Sequence, residues 1–141
     1  MKALAARRAR ITRVREVQHL RAVSEAATAE GKVVQLEGNA ARLSALRSSL
    51  IPATGQMSGA SLANTGELGQ RLDSVREGLT SAINAARVTA SARADERRDA
   101  DIARESAERL QTRAVADLQR MIEDRMMAGI RPRNGKDTAR G

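Results

Sequence analysis

Apolar residues recur at alternating steps of three and four positions along much of this 141-residue chain, which is the spacing of a coiled coil. In the first half the pattern is clearest over residues 22–50. There it consists of Ala22, Ala26, Ala29, Val33, Leu36, Ala40, Leu43 and Leu50, with Arg47 as its one polar interruption. The pattern predicts a first helix over about residues 3–50.

The beginning of this helix is less regular. Leu4, Ile11, Val14 and Val17 share a face, but the apolar phase shifts near His19. Gly31 and Gly38 lower helix propensity by about 1 kcal/mol each relative to Ala, and we interpret them as weak points or close-approach sites within a continuous helix.

A stretch rich in Pro, Gly and small polar residues interrupts the pattern over residues 51–66. Pro52 removes a backbone donor and disfavours helical geometry at the preceding residue, while Gly55 permits a turn. Asn64, followed three residues later by Glu67, matches a helix cap with an acidic residue at the third position. The sequence therefore predicts a loop over 51–66.

The second helix is predicted over about residues 66–128. Its apolar stripe consists of Leu68, Leu72, Val75, Leu79, Ala82, Ala86, Ala100, Ala103, Ala107, Leu110, Ala114 and Met121. Between its two parts lies the charged run 93–101, which we interpret as a solvated stretch where the partner helix slackens, in preference to a recognition site. Gly129 and Pro132 end the helix, and residues 129–141 are expected to form a flexible basic tail.

Together these elements predict an all-α fold in which two long helices form an antiparallel coiled-coil hairpin, a single domain over residues 1–128. A short connection returns the chain alongside itself, pairing Leu50 with about Leu68 and Ala3 with about Ala114. The end of the second helix then projects past its partner. The projecting residues include an apolar face of Leu118, Met121, Ile122 and Met126.

Composition supports a narrow helix–helix contact. The chain has no aromatic residue, and aliphatic side chains suit two closely packed helices better than a thick core. The net charge of +8 is concentrated at the ends. Residues 1–21 hold seven basic groups and one acid, and residues 125–141 hold five basic groups and one acid.

Little in the sequence indicates catalysis. There is no Cys, His19 is the only histidine, and no phosphate-binding glycine motif is present. We therefore expect a protein that is not an enzyme and that binds no metal or cofactor. No apolar run is long enough for a transmembrane segment.

Three kinds of function remain open. The first is a protein–protein adaptor. The second is a basic helical protein that binds nucleic acid or another polyanion without sequence specificity, although no aromatic side chain is available to stack on bases. The third is a membrane-surface helix over residues 3–20, whose apolar face lacks aromatic anchors and which we rank last.

Two segments, Met57–Ile83 and Glu108–Met127, resemble the flagellar export protein FliJ and its injectisome counterparts, as does the layout of a basic first helix, an interruption near residue 55 and a longer second helix. The resemblance implies a non-enzymatic stalk or adaptor of the type III protein export apparatus, needed for flagellum biogenesis and motility. Its implied partners are the hexameric export ATPase, the export gate and substrate chaperones. The implied location is cytoplasmic and peripheral to the inner membrane.

The candidate partner-binding surface combines two groups of residues. One is the arginine cluster, defined as Arg7, Arg8, Arg10, Arg13 and Arg15. Five like charges in nine residues repel one another, which an acidic partner would relieve. The other group is the projecting apolar face of Leu118, Met121, Ile122 and Met126. The alternative interpretation is that the arginines only keep an Ala-rich helix soluble.

Overall fold

The computed structural model describes residues 1–50 and 58–130, and these form two long helices with no strand among them. Helix α1 is Lys2–Ser49 and helix α2 is Gly59–Ile130. The all-α prediction is confirmed. The turn predicted at Pro52 and Gly55, the helix stop at Pro132 and the flexible basic tail lie outside the described residues.

The two helices pack antiparallel. Going forward along α1, Thr12 meets Ala107, Glu25 meets Arg93 and Arg47 meets Asp73, so the partner residue moves backward along α2. This confirms the hairpin, in a register close to the one expected from the sequence. The chain divides into two compact units. The terminal unit is Met1–His19 with Ala100–Gly141, and the central unit is Leu20–Asp99.

Helix α2 begins at Gly59, well before the predicted start near residue 66. Its cap is Ser58, whose Oγ accepts a hydrogen bond from the backbone N–H of Ser61 at 3.2 Å. Asn64 and Glu67 therefore lie inside the helix. The Ser- and Gly-rich composition of residues 58–66 suggested a loop, but after Ser58 the segment contains no proline to oppose a helix. At the other end α2 continues through Gly129 to Ile130.

The apolar stripe predicted for the second half of α1 is confirmed. All its members from Ala22 to Leu50 are buried or half-buried, and Ala26 is the most buried of them, at 3% exposed. Arg47 continues the stripe as a half-buried residue. Its guanidinium lies over Gly69, where the absence of a side chain leaves room for it, and its Nε donates to Asp73 at 3.2 Å.

The predicted stripe of α2 is half correct. One set of heptad positions, represented by Leu72, Leu79, Ala86 and Ala107, packs against α1 as expected. The other set lies one residue later than predicted, so Ile83 is buried where Ala82 was expected, and Val75 is 56% exposed. In this second set Gly69, Ile83, Ala90, Arg104, Gln111 and Leu118 are buried or half-buried, whereas Arg76 and Arg97, at the same spacing, are exposed. Apolar residues at the flanking positions made the stripe wider than the contact, which hid the true phase.

The phase shift predicted near His19 is wrong. The contact face of α1 keeps one heptad phase through Ala5, Thr12 and His19 and on to Ala26, all of them buried or half-buried. Val14 and Val17, which suggested the shift, are exposed. The small and polar residues face α2, because closely packed helices need small side chains between them.

Within the charged run 93–101, residues 95–99 are exposed, as expected of a solvated stretch, but the helices have not slackened at its start. In the central unit Arg93 donates to Glu25 at 3.1 Å and to Glu96 at 2.9 Å. The buried Ala26 lies next to Glu25, which shows close helix contact at this level. A long arginine side chain can occupy a contact position because its apolar stem packs while its head reaches the edge.

Candidate protein-binding surface

The arginine cluster lies on α1 in the terminal unit. Four of its members are exposed and Arg8 is half-buried. Within the part of the chain that the structure describes, none of the five forms an ion pair. The polar contact of Arg15 is to a neutral group, the Oε1 of Gln18 at 3.2 Å. These arginines thus keep nearly all their donors available to a partner.

Several arginines elsewhere in the described chain form ion pairs with carboxylates. Arg87 donates to Glu37 at 2.7 Å, and Arg104 donates to Asp101 at 2.7 Å and Glu108 at 3.1 Å. The hydrogen bond to Asp101 is the main reason that the pKa of Arg104 is raised above its ordinary value, against the effect of burial. For Arg93 the hydrogen bond to Glu96, followed by the charges of Glu96 and Glu25, also raises the pKa. Other described arginines, among them Arg42, Arg76 and Arg97, also form no ion pair, so the cluster is distinguished by having five such arginines within nine residues.

The low acid content of the N-terminal segment explains this difference. Residues 1–19 contain Lys2 and the five arginines of the cluster but only one carboxylate, Glu16. The facing part of α2, residues 100–117, has acids, but its own arginines are interleaved with them at helical spacing, as in the Arg104–Glu108 pair. The terminal unit therefore carries unbalanced positive charge on α1.

The end of α2 beyond its contact with α1 is the second part of the surface. Thr12 lies against Ala107, so α1 begins opposite a point near Leu118. Leu118 and Met121 are half-buried, whereas every residue from Ile122 to Ile130 is exposed. We call residues 118–130 the overhang. Its apolar face includes Met126 at 63% exposed, and also Met127 and Ile130, which the sequence analysis did not select.

All nine sequence-predicted site residues therefore lie in the terminal unit. Sequence reasoning missed a further group on α1 itself. The side chains of Arg10, Ile11, Val14, Arg15 and Gln18 line an open groove of about 340 Å³ beside the arginine cluster. The apolar spacing of Leu4, Ile11 and Val14 was visible in the sequence, but it was attributed to the contact with the second helix.

The central unit has an open groove of its own along the contact of the two helices. Two adjoining depressions, of about 300 and 340 Å³, share Ala29, Lys32 and Thr89 in their walls. Small side chains line most of the groove. Nothing in it concentrates charged or nucleophilic groups beyond the Arg93–Glu25 pair at one end.

Residues 1–50 and 58–130 hold no metal-binding arrangement. No group of three or more His, Cys, Asp or Glu side chains among them is placed to hold a metal ion. Likewise, neither described helix has a window apolar enough to cross a membrane. His19 lies at the helix contact, with its Nε2 3.9 Å from Asp101 Oδ1 and its Nδ1 buried without a hydrogen-bond partner.

Comparison with protein-family models, curated proteins and solved structures finds no match to this chain.

Proposed function

We propose that this chain is a non-enzymatic adaptor or stalk protein that binds an acidic protein partner through the arginine cluster and the overhang. The observation that carries the proposal is a run of five arginines within nine residues that form no ion pair among the described residues, in the same compact unit as an exposed apolar helix end. Charge complementarity accelerates association and fixes register, while burial of apolar side chains supplies affinity.

The resemblance to FliJ supports a more specific form of this proposal. In that form the chain is a component of a flagellar type III protein export apparatus, acting in the cytoplasm at the periphery of the inner membrane. Its partners are the export ATPase ring, with the export gate and substrate chaperones. The paired ends of the FliJ-like hairpin form the portion inserted into the ATPase, and in this chain those ends carry the arginine cluster and the overhang.

The test is binding of the full-length protein to the purified export ATPase of the same organism. Replacing Arg7, Arg10 and Arg13 by Gln is expected to weaken binding and flatten its salt dependence, because fewer charges then attract the partner. All three are exposed, so helicity is expected to stay unchanged. The matched control replaces three exposed arginines of the central unit, Arg42, Arg76 and Arg97, by Gln, which removes equal charge elsewhere.

The overhang is tested separately. Replacing Ile122 and Met126 by Ser is expected to weaken binding with little change in salt dependence, because both side chains are apolar and exposed. Val34 and Val88 in the central unit are more exposed than Ile122 and Met126, and their replacement by Ser is the control. If the arginine and overhang variants bind the ATPase as well as the unmodified chain, the proposed surface is wrong. Absence of any ATPase binding contradicts the export-apparatus form of the proposal.

A second candidate function, binding of nucleic acid or another polyanion, is favoured by the same unpaired arginines. Phosphate contacts make binding strongly salt-dependent, with a logarithmic slope of about −0.9 per contact on duplex DNA. If duplex DNA binds at physiological salt, and the salt dependence of binding is weaker in the Arg7, Arg10 and Arg13 variant, the hypothesis of a polyanion-binding protein replaces that of a protein adaptor.

A further inference from the structure

The first turns of α1 carry two parallel heptad stripes. The contact stripe includes Ala5, Thr12 and His19, which face α2. A second stripe begins one residue earlier and repeats with the same alternation of three and four, so it lies about 100° around the helix axis. The second stripe consists of Leu4, Arg7, Ile11, Val14 and Gln18.

The larger aliphatic side chains belong to the stripe that the hairpin does not use. Leu4 is 43% exposed and Val14 is 55% exposed, and only Ile11 is half-buried. By contrast the contact stripe presents the small side chains of Ala5 and Thr12. Since hydrophobic burial stabilises pairing roughly in proportion to area, a freestanding hairpin gains nothing from placing its larger side chains outside.

The charges beside the second stripe indicate what covers it. Arg10 and Arg15 line the same open groove as Ile11 and Val14, and Arg7 belongs to the stripe itself. None of these arginines has an ion pair among the described residues. In coiled coils, charged residues at positions flanking the apolar stripe select the partner helix by charge.

We propose that the second stripe of α1 is the docking site for an acidic amphipathic α-helix of a partner protein, which packs beside α1 as a third helix. This inference rests on the proposed adaptor function and specifies the partner's structure at the arginine cluster. Residues 4–18 span about 21 Å, enough for a partner helix of about four turns. The partner presents apolar residues to Leu4, Ile11 and Val14 and carboxylates to the arginines.

Two other occupants fit less well. A second copy of the chain would bring another arginine cluster close to the first, because residues 1–19 contain only one carboxylate. A lipid surface is usually bound by helices with bulky aromatic or Leu-rich faces, and this chain has no aromatic residue. A β-branched pair at heptad spacing, as in Ile11 and Val14, is typical of a helix partner.

The experiment measures binding of the full-length protein to two designed helical peptides. Both carry Leu and Ile at heptad core positions, one with Glu at the flanking positions and the other with Lys. We expect the Glu peptide to bind and the Lys peptide not to bind. Replacing Leu4 and Val14 by Ser is expected to weaken binding of the Glu peptide by roughly tenfold or more, because two contact side chains are lost.

Two controls make the result specific. Replacing Val34 and Val88 by Ser changes side chains of the central unit that are more exposed than Leu4 and Val14, and is expected to leave peptide binding unchanged. Circular dichroism of each variant checks that the helices remain formed. Equal binding of both peptides, or unchanged binding by the Leu4 and Val14 variant, overturns the proposal.

The alternative occupants have their own readouts. Sedimentation onto vesicles of phosphatidylserine and phosphatidylcholine, lost in the Leu4 and Val14 variant while the Glu peptide fails to bind, assigns the stripe to a lipid surface. Concentration-dependent dimerisation lost in the same variant assigns it to a second copy. Either result overturns helix docking. If the Glu peptide fails but binding to the ATPase still depends on Arg7, Arg10 and Arg13, the adaptor function stands without this inference.

Discussion

Glycines inside the two helices allow a quantitative test of the packing. At Gly31, Gly38 and Gly78 an added methyl group would have no atom within 4 Å apart from the helix itself and the adjoining residues. Of the two interpretations of Gly31 and Gly38, close-approach sites are therefore ruled out, and weak points within a continuous helix remain. Each of the three occupies a helical position where Ala is favoured by about 1 kcal/mol. Replacing all three by Ala is expected to stabilise the central unit by about 2–3 kcal/mol, since the sites are well separated.

Gly69 is the matched contrast. A methyl group there would lie 2.8 Å from Nη1 and 3.0 Å from Cζ of Arg47, so the guanidinium must move. Displacement also disturbs the contact between Arg47 and Asp73, an exposed pair that contributes only about 0–1 kcal/mol. The helical gain of about 1 kcal/mol is then offset, and Gly69→Ala is expected to leave the stability nearly unchanged.

The assay is urea denaturation followed by circular dichroism at 222 nm, and all four glycines lie in the central unit, so one transition reports on them. In an Arg47→Ala background the obstacle is absent, and Gly69→Ala is expected to stabilise the protein by about 1 kcal/mol. If Gly69→Ala has the same effect in both backgrounds, the contact between Arg47 and Gly69 is not formed. A loss of stability in the Gly31, Gly38 and Gly78 variant would contradict the open surroundings of these sites.

Three further substitutions test the helix contact, each by the change in unfolding free energy. Ile83→Ala is expected to cost about 2–3 kcal/mol and Val75→Ala well under 1 kcal/mol, because only Ile83 is buried; equal costs would restore the phase predicted from the sequence. His19→Leu is expected to stabilise the protein by about 1 kcal/mol by removing a buried nitrogen without a partner, and a loss would show that His19 has one. Ala26→Leu is expected to cost about 1–3 kcal/mol through overpacking, and a neutral result would mean that the helices are further apart at Ala26.

The fold was accessible from sequence because the strongest signals were local. The apolar stripe from Ala22 to Leu50 gave the phase of α1 correctly, and the interruption at Pro52 and Gly55 separated the helices. The ends of α2 were misplaced because glycine was given too much weight at Gly59 and Gly129, where the helix accepts it. Helix capping by Ser58 depends on the geometry of one side chain, which composition does not reveal.

The heptad phase of α2 and the role of the first turns of α1 were harder to predict from the sequence, for one physical reason. Where an apolar stripe is wider than the contact it makes, the sequence alone does not show which edge faces the partner. Val75 and Ile83 are both large and apolar, yet only Ile83 is buried. The same ambiguity hid the second stripe of α1, since Leu4 and Val14 had the spacing of contact residues. The site residues chosen for their charge were less affected, because an unbalanced run of arginines is visible without knowing the phase.

Polar residues at the contact have a further consequence, which concerns register. Much of the contact is made by alanines at heptad spacing, and sliding one helix by seven residues would often replace one alanine by another. Polar residues oppose such a slip. The guanidinium of Arg47 lies over Gly69, and a slip of one heptad would place Leu62 or Arg76 opposite Arg47 instead. A slip of one heptad in one direction removes all three ion pairs between the helices of the central unit, because Arg47, Glu37 and Glu25 then face Thr80, Ala94 and Ala100. A slip in the other direction removes two of them but brings Glu30 opposite Arg87. Each exposed pair contributes little to stability, but at least two fail together in the wrong register. The register of the central unit is therefore set by these charged residues, while the apolar stripe supplies the attraction between its helices.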